Sequence, residues 1–104
     1  MNHETLMELI SRSHRQRVNL IARKNKDYAT EDVLSNFKRV AEYIKILRID
    51  ATTPIGVALI YAVLKIDRLT NLIHNGTEPM NESMADTFDD LMNYIDLARA
   101  LLDE

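Results

Sequence analysis

The sequence predicts an all-α domain, a four-helix bundle, on three observations. Helix breakers are scarce: two glycines and two prolines fall at just two places, Pro54/Gly56 and Gly76/Pro79, so the rest of the chain runs in long uninterrupted stretches. Leucine, alanine, methionine and charged helix formers dominate. Apolar residues recur at helical spacing in four successive segments. A chain of 104 residues forms one domain, 1–104, and can bury roughly two-thirds of its unfolded surface in a single core.

The first helix is expected over about Glu4 to Lys24, where Leu6, Leu9, Ile10, Val18 and Ile21 keep an approximate 3.6-residue period. Its middle, Ser11 to Arg17, is polar and basic, and the pattern breaks at Arg23 to Tyr28. The second runs from about Glu31 to Leu47 on the stripe Val33, Phe37, Val40, Ile44 and Leu47. Thr53 before Pro54 is an N-cap followed by proline at the first helical position, so the third helix starts there and continues to about His74. This helix is apolar on nearly every side, which places it in the middle of the bundle. Gly76 is its expected left-handed C-cap. The fourth runs from about Glu82 to Leu102, with Met84, Phe88, Leu91, Ile95, Ala98 and Leu102 as a seam. Its other side begins acidic and ends apolar at Leu97 and Leu101, so it is expected to pack on two sides, the second partner being another copy of the chain.

The composition narrows the function. Cysteine is absent, which excludes disulfides and thiolate metal sites. No apolar run reaches the roughly 20 residues that span a membrane, and the polar opening MNHETLMELISRSHRQR is no secretory signal, so the cytoplasm is the expected setting. The net charge of −3 argues against DNA or RNA as a partner.

Acidic residues carry the candidate chemistry. Asp67 falls on the apolar stripe of Ile60, Val63 and Leu64, and a buried carboxylate needs a partner. Two partners are open: an arginine such as Arg39 or Arg48, or a metal. Glu82, Asp86 and Asp90 stand at i, i+4 and i+8, three like charges in a row that call for something positive, either lysines and arginines or a divalent cation. Oxygen-only ligands suit Mg²⁺ or Mn²⁺. The alternative for Glu82 and Asp86 is helix capping with Ser83, which leaves Asp90 unexplained because it lies too deep in the helix. Asp27 and Tyr28, with Lys24, Asn25 and Lys26 beside them, sit where the first helix is expected to end; they form either a surface loop or a contact to metal, base and phosphate.

These motifs resemble a family. Lys24-Asn25-Lys26-Asp27-Tyr28 resembles the K-N-x-D-Y segment of small phage and bacterial proteins called MazG-like or nucleotide-modification-associated. Asn36-Phe37 fits as well, and Asp67-Arg68 stands where those proteins often have Asp-Lys. Glu82-Ser83-x-x-Asp86-Thr87-x-x-Asp90-Leu91-x-Asn93-Tyr94 resembles their E-S-x-x-D-T-x-x-D-L-x-N-Y signature. The resemblance covers about residues 24 to 102. It implies a MazG-like nucleoside triphosphate pyrophosphohydrolase-type fold built as a homodimer or higher homo-oligomer. It also implies Mg²⁺ held by carboxylates and cleavage between the α and β phosphates.

Carried onto this sequence, Asp67, Asp86 and Asp90 are the expected metal ligands, and Asp27 or Glu82 the catalytic base. Lys24, Lys26 and Arg68 are expected at the phosphates and Tyr28 or Tyr94 against the base, with Asn25 and Asn93 in the nucleotide site. The wider superfamily's E-E-x-x-E motif is missing: the first helix offers only Glu4 and Glu8. Three functions are therefore open. One is a Mg²⁺-dependent nucleotide hydrolase, in the host cytosol if phage-encoded. The second is a non-catalytic sponge that sequesters a nucleotide or signalling nucleotide. The third is a structural or protein-binding bundle.

Overall fold

In the computed structural model, residues 1–28, 32, 34–76 and 83–104 are described, with side chains at all of these except 25–28. Four helices follow one another: α1 (His3–Tyr28), α2 (Ser35–Leu47), α3 (Pro54–Asn75) and α4 (Met84–Asp103). No strand occurs among the described residues. Helix α3 is the hub. Helix α4 packs along it as its main partner, while α1 and α2 lean on it over shorter lengths. The central position follows from the all-round apolar character of α3, since each of its sides can bury against a neighbour. No helix among the described residues is long and apolar enough to cross a membrane.

Helix α1 extends a turn beyond its predicted end at Lys24, to Tyr28, so the expected loop at Asp27 and Tyr28 is helical in its backbone. Apolar periodicity reports burial, and every described side chain of α1 except Ser13 is exposed. The pattern therefore had no buried face to follow. Cations near the helix end suit the negative pole of the dipole.

Helix α2 starts at Ser35, not near Glu31. Just before it, the Asp32 carboxylate accepts the Leu34 N–H at 2.9 Å and pairs with Lys38, while the Asp32 carbonyl accepts the Ser35 N–H at 2.9 Å. This aspartate-centred turn competes with the helix for the same backbone groups. Lys38 first, and the Leu34 amide second, hold the Asp32 carboxyl below its ordinary pKa. Of the predicted stripe, Val40 is buried and Ile44 half-buried, Phe37 and Leu47 are exposed, and Val33 lies outside the described residues. The helix ends at Arg48, a non-glycine residue in the left-handed region at φ 57°.

The corner into α3 is tightly built. Asp50 accepts the Thr52 hydroxyl at 2.6 Å and the Thr52 N–H at 2.9 Å on one carboxylate oxygen. The Asp50 carbonyl accepts the Thr53 hydroxyl at 3.0 Å. Thr53 Oγ1 in turn accepts the Gly56 N–H at 3.0 Å, with Pro54 in the first turn, as the sequence predicts. A Cβ on Gly56 would stand 1.7 Å from the Asp50 carbonyl oxygen, so only glycine lets the corner close. At the far end Gly76 caps α3 at φ 63°, also as predicted.

Helix α4 begins after Ser83, whose hydroxyl accepts the Asp86 N–H at 3.0 Å. Its seam differs from the predicted one. Thr87 and Ala98 are buried and Leu91, Tyr94 and Leu101 half-buried, whereas Phe88, Ile95 and Leu102 are exposed. The helix is turned so that Thr87 and Tyr94 occupy inward positions that an apolar count assigns to Phe88 and Ile95. Both have partners on α3 that reward this turn, as the site geometry makes plain.

Candidate functional site

The interior of this bundle is unusually polar. Among the described residues Asn36, Asp67, Arg68, Asn71 and Thr87 are all buried, against seven buried apolar side chains. Buried polar groups cost free energy unless paired, and a purely structural core of this size would be expected to use leucine at such positions. Asp67, Arg68 and Asn71 lie in the second half of α3, Asn36 in the first turn of α2 and Thr87 in the first turn of α4.

Adjacent residues on α3 bind two different helices. Asp67, 2% exposed, is held by Arg39 of α2 in a two-pronged contact: Nε donates to Oδ1 at 2.7 Å and Nη2 to Oδ2 at 3.0 Å. This charge-assisted fork is the strongest type of side-chain hydrogen bond. Arg39 also donates to Ser35 Oγ at 2.8 Å. Hydrogen bonding to Asp67 is the main cause that raises the Arg39 pKa above its already high ordinary value. The next residue, Arg68, lies one-hundred-odd degrees around the helix and donates to the Thr87 hydroxyl of α4. That hydroxyl donates onward to the Ser83 carbonyl at 3.1 Å. Lys65 adds a second link to α4, an ion pair with Asp90 at 3.3 Å.

Three of the five, Asn36, Asn71 and Thr87, were not singled out as site residues by the sequence. Asn71, one turn beyond Asp67, is buried and accepts from Asn75 at 3.4 Å. Asn36, in the first turn of α2, is 8% exposed, and its Oδ1 is fully buried without a hydrogen-bond partner among the described residues. An orphan acceptor of this kind costs about 1–3 kcal/mol. The available signal was a polar residue on a stripe: Asn71 shares a face with Asp67, and Asn36 precedes Phe37 in the family-like segment.

The sequence-predicted residues divide into groups. Asp67 and Arg68 are in the cluster. Of the two arginines open as partners of Asp67, Arg39 takes the role, while Arg48 is exposed and serves as the left-handed cap of α2. Asp86 is exposed in the first turn of α4, a position the helix dipole favours for an acid. Asp90 follows one turn later, partly exposed. Asn93 is exposed. Tyr94 stacks on Tyr61 of α3, with ring centres 5.3 Å apart, and lines an open apolar groove with Pro54, Val57 and Leu97. None of Asp67, Arg68, Asp86 and Asp90 lines that groove. Lys24 is exposed on α1. The side chains of Asn25, Lys26, Asp27 and Tyr28, and all of Glu82, lie outside the described residues.

For a divalent cation the donors are unequal. Both oxygens of Asp67 are engaged by Arg39. Asp86 and Asp90 stand one turn apart on one helix face and remain reachable from solvent, but Asp90 is already answered by Lys65 at 3.3 Å, which leaves Asp86 as the unengaged donor of the two among the described contacts. Among the described residues, no three histidine, aspartate or glutamate side chains gather as a metal-holding group.

No family model matches the chain, and no curated protein or solved structure matches it.

Proposed function

We propose that this protein is a Mg²⁺-dependent nucleotide-binding protein of the nucleoside triphosphate pyrophosphohydrolase type. The carrying observation is the set of buried polar side chains on α2, α3 and α4, with Asn36 Oδ1 buried and without a partner among the described residues. The first turn of α4, joined to α3 through Arg68 and Thr87, offers a helix N-terminus of the kind that suits a phosphate. The unpartnered Asn36 oxygen suits a donor on the ligand, such as a base amine or a sugar hydroxyl. Asp86 and Asp90 would hold the Mg²⁺, Asp90 by exchanging its ion pair with Lys65 and Asp67 joining only if Arg39 releases it. Bound there, Mg²⁺ would supply charge neutralisation at the phosphates and a lowered pKa for bound water. Asp27 or Glu82 would accept a proton from water and Lys24 and Lys26 would stabilise charge on the phosphates, with Arg68, 1% exposed and bonded to Thr87, joining only if that bond opens. The Arg39–Asp67 fork fixes α2 against α3 and so sets the position of Asn36.

A second reading, binding without turnover, is favoured by the engagement of both Asp67 oxygens, which removes one carboxylate from the ligand set. A panel of nucleoside triphosphates with Mg²⁺ separates the two. Pyrophosphate release supports the hydrolase, and tight binding without release supports the sponge. Asn36→Leu is expected to keep or gain stability while losing affinity, because it removes an unpaired acceptor that only a ligand uses. If no nucleotide binds, and Mg²⁺ leaves the melting temperatures of wild type, Asp86→Asn and Asp90→Asn unchanged, the protein is a structural bundle and the proposal fails.

A further inference from the structure

Helix α4 carries a second apolar stripe that no element of its own chain covers. Phe88, Met92, Ile95 and Leu102 are 47–73% exposed and follow steps of four, three and seven residues, the spacing of a coiled-coil seam, with Arg99, ion-paired to Asp103 at 3.8 Å, in the seam position between Ile95 and Leu102. Beside it run Asp89, Asp96 and Asp103, each seven residues from the next and all exposed. An acidic row at heptad spacing along an apolar seam is the pattern that selects a basic partner helix.

The chain holds such a helix. Between Glu8 and Asp27, α1 contains Arg12, Arg15, Arg17, Arg23, Lys24 and Lys26 and no acid. Its apolar side chains Leu6, Ile10, Val18 and Ile21 are exposed. From Leu6 to Ile21 the helix rises about 22 Å, and the stripe from Phe88 to Leu102 about 21 Å. Within one chain α1 rests on α3, and the stripe stays open.

The surface area points the same way. A folded chain of 12.0 kDa ordinarily exposes roughly 6,000 Å². This one exposes 7779 Å², an excess of about 1,800 Å². A standard interface covers about 800 Å² per partner, and obligate homodimers cover more. The radius of gyration of 17.2 Å likewise exceeds the ~13 Å usual for this length.

We infer that the basic helix α1 of a second copy lies along the acidic-edged stripe Phe88–Leu102 of α4, and that the copies assemble by exchanging this arm. Pairing α4 with α4 is disfavoured, because it sets one aspartate row against the other. The inference is independent of nucleotide binding.

Sedimentation equilibrium of the full chain tests it. The wild type is expected at a multiple of 12.0 kDa. The variant Asp89→Lys/Asp96→Lys, and separately Arg15→Glu/Arg17→Glu, are expected to lose association while keeping wild-type helicity by circular dichroism. Mixing the two restores it, since each basic arm then meets an acidic row. Should a variant misfold, carbodiimide coupling of an isotopically mixed wild type decides the matter. It is expected to join Lys24 or Lys26 of one copy to an α4 aspartate of another. A monomeric wild type, swapped variants that still self-associate, a mixture that fails to assemble, or absence of interchain α1–α4 links overturns the inference.

Discussion

Truncating Arg39 tests the buried ion pair from its more sensitive side. Arg39→Ala removes both prongs from Asp67 and leaves a carboxylate that is 2% exposed without its guanidinium. Breaking a buried pair in this direction costs about 3–5 kcal/mol. At about 4 °C or more per kcal/mol for a domain of this size, the melting temperature should fall by at least ~12 °C. Asp67→Asn is expected to be milder, about 1.5–3 kcal/mol, for two structural reasons. Arg39 is 27% exposed and can turn to water, and it keeps its bond to Ser35 at 2.8 Å. Replacing both partners by apolar residues, Arg39→Met with Asp67→Leu, should recover much of the loss, because no charge is then left buried. Urea unfolding followed by circular dichroism, at one fixed protein concentration, gives the three values. If Asp67→Asn proves more damaging than Arg39→Ala, or Arg39→Ala stays within about 1 kcal/mol of wild type, the carboxylate is compensated from elsewhere and the reasoning fails.

Three other outcomes follow from the local geometry. Gly56→Ala should destabilise by at least about 1–3 kcal/mol, although helix propensity alone would favour alanine by ~1 kcal/mol, because the new Cβ meets the Asp50 carbonyl; a melting temperature at or above wild type would contradict the close approach. Arg48→Gly should stabilise by up to about 1–2 kcal/mol, since it relieves an L-residue at φ 57°, and urea midpoints read this directly. Asp50 is held below its ordinary value of 3.8 by hydrogen bonds from Thr52. A depressed pKa gives stability that is fully present above the unfolded value and is lost as pH falls through the folded one. Acid titration of Asp50→Ala should therefore show a deficit against wild type near neutral pH that narrows as pH falls below the ordinary 3.8 and through the depressed folded pKa; a constant deficit would refute it.

Sequence alone determined the number and kind of elements, the corner at Thr53-Pro54, the cap at Gly76 and the hub role of the third helix. These rest on local chemistry, in which a hydroxyl, a ring or a missing Cβ acts within four residues of itself. It also marked Asp67 as a carboxylate needing a partner, because a charge on an apolar stripe is conspicuous whatever surrounds it. Only the tertiary structure decided which arginine answers, that Arg68 turns to Thr87, and that Asn36 and Asn71 are buried with them. Those contacts join residues 19 to 28 positions apart, and periodicity carries no information about what faces a helix. The same limit explains the turned seam of α4. An apolar count gave Phe88 and Ile95 the inward places, whereas partners on α3, Arg68 and Tyr61, draw Thr87 and Tyr94 inward.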